Sequence, residues 1–227
     1  MPRASRRLSY RVKGGIVLLG GLPTLLACDI VYEASRTLKQ LDIVEAERDG
    51  WQKPADILQS LELKPGYTVI DLGCGSGYFT LKLSRTVGEH GKVLAVDIRR
   101  LPLAFLWVRT WLKANHNVRI VTGEPDDPHL GEAIADGVLI VNTYHELQHP
   151  GTILNHSFRA LVPGGRLVIA DRSADASAGH HDAHHQVSAA GVEDEVRGAG
   201  FRIVQRIDRL VDNPQNGEWW LLAARKP

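Results

Sequence analysis

Four short clusters in this sequence carry residue types capable of chemistry. The first is Val69-Ile70-Asp71-Leu72-Gly73-Cys74-Gly75-Ser76-Gly77-Tyr78-Phe79-Thr80. Apolar and β-branched residues lead into an acid, a glycine-rich turn follows, and Phe79, Leu81 and Leu83 then keep helical spacing. Strand, tight loop and helix in that order let the backbone come close to a nucleotide-like cofactor. The second is Asp97, with its neighbour Ile98, twenty residues after Gly77. A carboxylate there can accept hydrogen bonds from a pair of ribose hydroxyls, each worth roughly 1.5–3 kcal/mol when charge-assisted. The third is the acidic stretch Gly123-Glu124-Pro125-Asp126-Asp127-Pro128, and the fourth is Asn142-Thr143-Tyr144-His145-Glu146. An imidazole titrates near neutral pH, so His145 could take a proton from an acceptor, with Tyr144 orienting the acceptor and Glu146 orienting His145.

The elements that must position these clusters alternate. Strands are expected over 67–72, 92–97, 118–122, 137–142 and 166–171, and helices over 78–87, 103–114 and 152–161. Such alternation argues for a parallel sheet with helices on both faces. The apolar runs 138–141 and 167–170 suit strands buried on both sides. A helix over 192–199 is closed by Gly200. Two strands over 201–210 and 219–225 follow, joined by a link too short for a parallel crossover, so they form an antiparallel pair. Ligands of open α/β sheets bind beyond the carboxyl ends of the strands, where all four clusters fall.

Asp71-x-Gly73-x-Gly75-x-Gly77 resembles motif I of the class I S-adenosylmethionine (SAM) dependent methyltransferases. A dinucleotide-binding loop would place its third glycine where Tyr78 stands. Leu161-Val162-Pro163-Gly164-Gly165-Arg166-Leu167 resembles the turn before the fifth strand of that family, and a parallel sheet ending in an antiparallel hairpin strand is its architecture. Glu47-Arg48-Asp49-Gly50-Trp51-Gln52-Lys53-Pro54 is similar to a segment found before motif I in bacterial members, many of which look exported or lipid-anchored. The resemblance covers residues 47–227. It implies a Rossmann-like, seven-stranded, mostly parallel sheet and SAM as cofactor. In it, Gly73, Gly75 and Gly77 admit the cofactor, Asp71 supports the loop from behind, and Tyr78 either shields the cofactor or packs. Asp97 and Ile98 meet the ribose. An acid after the third strand, Asp126 first and Glu124 second, meets the adenine amino group. Asn142 meets the cofactor where methyl donor and acceptor come together, and Tyr144 and His145 face the acceptor. Both prolines of the Asn/Asp-Pro-Pro-Tyr motif of amino-group methyltransferases are missing after Asn142.

Length and charge bound the rest. At 227 residues the chain can hold one α/β domain with a full core. Its net charge of +1 advertises no nucleic-acid partner, so the acceptor is expected to be a small molecule or lipid-like compound. Cys28 and Cys74 make no disulfide framework, and Cys74 reads as a small packing residue. Residues 1–28 are basic and then apolar, ending in Leu25-Leu26-Ala27-Cys28, which looks like a lipobox. The expectation is a targeting or anchoring segment over 1–28, with export or membrane association, set against the cytoplasmic origin of SAM. As a helix the apolar run reaches about 22 Å, short of the roughly 30 Å hydrocarbon core, and Pro23 weakens it further. A helical lead-in over 29–61 would cover the cofactor site, and the methyltransferase domain would occupy 62–227. His180, His181, His184, His185 and Asp182 match no defined metal-binding spacing and read as a loop over the acceptor pocket, without metal. Two other functions stay open: an NAD(P)-dependent oxidoreductase, and a non-catalytic membrane-associated module that keeps the fold.

Overall fold

A computed structural model of the chain describes residues 21–173, 187–213 and 215–227. It divides into two compact units, 1–42 and 43–227. The second contains helix α2 (Pro54–Gln59) and then alternates β1 (Thr68–Leu72), α3 (Tyr78–Val87), β2 (Lys92–Asp97), α4 (Arg100–Leu112), β3 (Val118–Thr122) and β4 (Ala135–Val141). It continues through α5 (Pro150–Ala160), β5 (Leu161–Arg172), α6 (Ala189–Gly198), β6 (Arg202–Asn213) and β7 (Gly217–Arg225). A further helix, Gly21–Trp51, precedes α2 and is called αN here.

The seven strands lie in the order β3-β2-β1-β4-β5-β7-β6. The pairs among β1 to β5 are parallel, whereas β7 runs antiparallel to both β5 and β6. The order reverses between β1 and β4, which opens a crevice at their carboxyl ends. Strand periodicity divides the core. Ile70, Val138, Ile140, Leu167 and Ile169 pack with Ile153, Leu154, Val192 and Val196 of α5 and α6. Val69, Leu139, Val168 and Ala170 pack on the other face with Ile57 of α2 and Phe79 and Leu83 of α3. Burial on both faces is why β4 and β5 read as continuous apolar runs.

Several expected strand and helix boundaries shift for local reasons. Strand β5 starts at Leu161, not 166, because Leu161 pairs with Ala135 across a bulge, and Gly164 N donates to Lys226 O. Helix α4 starts at Arg100, not 103, since Pro102 needs no amide partner in a first turn. Helix α6 starts at Ala189, where the Ser188 hydroxyl accepts the amide of Gly191 as an N-cap. The compact unit starts at Ile43, so lead-in residues 43–61 belong with the sheet. Helix αN already begins at Gly21, and Leu25 to Cys28 lie inside it. The start of the basic and apolar segment, 1–20, lies outside the described residues. Among the described residues no helix is long and apolar enough to cross a membrane.

Candidate active site

The β1–α3 loop is held from below. Asp71 is buried at the end of β1, and its Oδ2 accepts the Thr80 hydroxyl of α3 at 2.5 Å. Burial pushes the Asp71 carboxyl up to about 7, against the opposing pull of the Thr80 hydrogen bond. The loop turns through left-handed conformations at Gly73 (φ 77°) and Gly75 (φ 54°). These two glycines are required for different reasons. A Cβ on Gly73 would lie 2.3 Å from Cγ2 of Thr143, whereas a Cβ on Gly75 would meet nothing within 4 Å. The backbone of Gly75 therefore faces open space, as a cofactor-binding loop should.

Asp97 ends β2 only 5% exposed. Its Oδ2 accepts Gly75 N and its Oδ1 accepts Arg99 N, both at 2.8 Å. The carboxylate thus ties the glycine loop to the tip of β2. It lines a cleft of about 110 Å³ with Ile98, Gly123, Glu124, Thr143 and Leu147. Glu124 N donates to Asp127 O at 2.7 Å, which closes a turn over 124–127. That turn puts Glu124 on the cleft and leaves Asp126 exposed and outside its lining. A larger open depression of about 910 Å³ lies among Ser84, Gly91, Asn115 and Arg119, away from all four clusters.

Beyond β4 the chain turns sharply at Asn142 (φ 53°), whose buried Oδ1 has no hydrogen-bond partner. Tyr144 and His145 then point to different surroundings. Tyr144 is buried in the core cluster that holds Ile153, Val192 and Trp220, and its hydroxyl donates to Glu195 of α6. Burial and that carboxylate push its phenol up. The expected acceptor-orienting role of Tyr144 is thereby corrected: the ring serves the contact with α6.

His145 is only partly exposed, and its Nδ1 lies 2.8 Å from Oδ1 of Asp171 near the end of β5. The same carboxylate accepts the backbone amides of His145 at 3.2 Å and of Arg172 at 2.8 Å. Asp171 has no exposed surface, and its hydrogen bond pushes the His145 imidazole up, with burial opposing. Glu146, the expected orienter, comes only within 3.8 Å of Nε2. Asp171 was not singled out from the sequence, because it lies 26 positions from His145. The signal was present as an acid at the end of an otherwise apolar strand.

Residues 43–51 of αN reach the loop through an arginine. Arg109 of α4 is buried and donates from Nη1 to both Glu45 Oε1 and Ser76 O, each at 2.7 Å. The Tyr78 hydroxyl donates to Asp49 at 2.6 Å, and Arg48 stacks 4.1 Å from its ring centroid. Tyr78 therefore packs the lead-in onto α3. Trp51 meets Trp219 of β7 with centroids 5.7 Å apart. The cluster from His180 to His185 lies outside the described residues, and among the described residues no group of metal-ligating side chains occurs.

The chain matches the methyltransferase domain family over residues 63–197. A 2-phytyl-1,4-naphtoquinone methyltransferase of Thermosynechococcus vestitus is 35% identical over 120 residues, 50% of this chain and 49% of that protein. A tRNA (adenine(58)-N(1))-methyltransferase of Thermus thermophilus is 37% identical over 110 residues, 48% of this chain and 41% of that protein. The chain spans about half the length of the curated relatives it matches. The crystal structure of a SAM-dependent methyltransferase from Aquifex aeolicus superposes with a TM-score of 0.69 at 25% identity, over 77% of this chain and 90% of that one. SAM presents a ribose diol, an ammonium and a sulfonium. The Asp97 carboxylate, the unpartnered Asn142 Oδ1 and the open side of Gly75 fit those groups. Carrying that loop, that strand order and that family match over more than half its length, the chain belongs to the class I SAM-dependent methyltransferase domain family.

Proposed function

We propose that the chain moves a methyl group from SAM to a small, lipid-like acceptor bearing an acidic hydroxyl or ring carbon, with His145 as the base that accepts its proton. The observation that carries this is the His145–Asp171 pair at the carboxyl ends of β4 and β5. When bound, SAM supplies a sulfonium methyl with a neutral leaving group, so positioning and desolvation account for much of the rate.

The chain's own residues divide the remaining work. Asp97 would hold the ribose hydroxyls and Glu124 the adenine amino group, since both line the cleft. Asn142 Oδ1, an acceptor without a donor, would take the ammonium. Asp71 stays behind the loop, bonded to Thr80, and keeps a carboxylate close to the methionine end. In the tautomer that carries the proton on Nδ1, the Asp171 carboxylate accepts from His145 and Nε2 keeps the lone pair that would take the acceptor's proton.

The acceptor class draws support from the quinone-methylating relative and from the charge of +1. A reduced naphthoquinone without its ring methyl is the acceptor to assay, with labelled SAM and full-length chain. Label in the extracted quinone, reduced at least tenfold in His145→Ala, supports the proposal. Label in bulk tRNA instead would favour the nucleic-acid reading that the Thermus relative raises. Folded protein that binds SAM and labels neither acceptor would remove the quinone class.

A further inference from the structure

Helix α4 is apolar on two faces. Its inner face buries Leu103 and Leu106. Its outer face keeps Leu101 at 70%, Trp107 at 64%, Trp111 at 72% and Leu112 at 57% exposed. At 3.6 residues per turn, Leu101, Ala104, Trp107, Val108, Trp111 and Leu112 fall on one arc. Among the described residues that arc is uncovered, and a contiguous apolar surface of this kind marks an interaction site. The charge carried by α4 and the chain on either side of it is of one sign, while Glu45 of αN is paired with the buried Arg109. Residues 98–123 contain no Asp or Glu, and Arg100 and Arg119 are exposed there.

We infer that this face of α4 docks on an anionic lipid surface. Indole rings favour the headgroup boundary, where an apolar body and a polar N–H are both accommodated. Cationic side chains beside them are drawn to anionic headgroups within a Debye length. The absence of acids over 98–123 complements such a surface. The chain would lie on the bilayer through α4, a mode separate from any anchor in residues 1–28. Helix α4 also starts at the rim of the cleft, where Ile98 is 54% exposed. Docking would bring the cleft to the lipid boundary. The inference does not depend on which acceptor is methylated.

The chain's five tryptophans make the test specific. Trp219 and Trp220 are buried and Trp51 is part-buried, so the exposed indoles are those of α4. Full-length chain is mixed with phosphatidylglycerol vesicles carrying brominated acyl chains, and with phosphatidylcholine vesicles of the same kind. Docking predicts quenched tryptophan emission with the anionic vesicles, weakened by 0.5 M salt and at least tenfold weaker with the neutral ones. Trp107→Phe/Trp111→Phe should bind and lose most of the quenching. Trp107→Ser/Trp111→Ser should partition at least tenfold more weakly while keeping its circular dichroism and SAM binding. Unquenched wild-type emission overturns the proposal. So does quenching that survives in the Phe variant, or vesicle binding unchanged in the Ser variant, which would assign binding to residues 1–42. A dimer that the Ser variant dissociates, with no vesicle binding by wild type, would replace lipid by a second copy.

Discussion

Nδ1 of His145 donates to Oδ1 of Asp171 across 2.8 Å, joining the turn after β4 to a fully buried acid of β5. The carboxylate is fixed by two backbone amides, so it holds the ring rather than following it. It also pushes the imidazole up, which sets the sign of the pH dependence. A base works in its neutral form, so activity rises as pH climbs through the raised value. Asp171→Asn removes the charge and lowers that value. The rising limb should move to lower pH, while the plateau of kcat/KM falls about 10–100-fold because the tautomer is no longer held. A loss of rate with the limb unmoved would make Asp171 a packing residue.

The turn over 124–127 makes a second prediction separable. Glu124 lines the cleft and Asp126 does not. Calorimetry should show SAM affinity falling about tenfold, ~1.4 kcal/mol, in Glu124→Ala. Asp126→Ala should stay within twofold. The reverse order would return the adenine contact to Asp126.

Asp71 gives a prediction in stability. Its folded value of about 7 lies above the ordinary carboxylate value, the reverse of a salt-bridged acid. The unfolded chain ionises it near pH ~3.9, so the wild type loses stability between about 4 and about 7 as the unfolded state gains a charge the fold resists. Asp71→Asn keeps an acceptor for Thr80 and has no such loss. Thermal unfolding should show its melting temperature gaining on wild type from pH 5 to pH 8. A constant difference across that range would count against burial as the cause.

The two loop glycines should fail differently. Gly73→Ala combines a left-handed backbone with a 2.3 Å approach to Thr143. It should destabilise the fold by about 2–4 kcal/mol. Gly75→Ala meets open space, so it should cost about 1–2 kcal/mol of stability. Its methyl group intrudes where the cofactor belongs, and SAM affinity should fall at least tenfold. Equal stability losses would mean that Thr143 yields to a Gly73 methyl, and SAM affinity unchanged in folded Gly75→Ala would mean that the open side of Gly75 is not a binding surface.

Much of this was legible in the sequence, for definite reasons. Helix 78–87 and strands 92–97 and 118–122 were read with their observed limits, because Gly77, Gly88 and Gly91 punctuate the first two and Gly123 ends the third. The antiparallel β6–β7 pair followed from a link too short to cross over. The geometry of the β1–α3 loop was legible because one cluster holds its own logic, with Asp71 bonded to Thr80 behind left-handed glycines. The candidate site was not legible where the partner comes from another strand. His145 has an acid next to it in sequence, yet its partner is Asp171, supplied by the β4–β5 register that pairs Ile140 with Ile169. Tyr144 and His145 are neighbours that point apart, and the geometry of a single turn decided which one entered the core. Glu124 and Asp126 differ only by their places in a tight turn, which composition does not report.

The most direct test of the central claim is calorimetric titration of full-length chain with SAM, its demethylated product and NADH, repeated with Asp97→Ala. Asp97 bonds Gly75 and lines the cleft, so the wild type should bind SAM and product but not NADH. Asp97→Ala should lose at least tenfold in both affinities while still unfolding cooperatively. Binding of NADH without SAM by folded wild-type chain, or SAM affinity unchanged in Asp97→Ala, would contradict the cofactor site described.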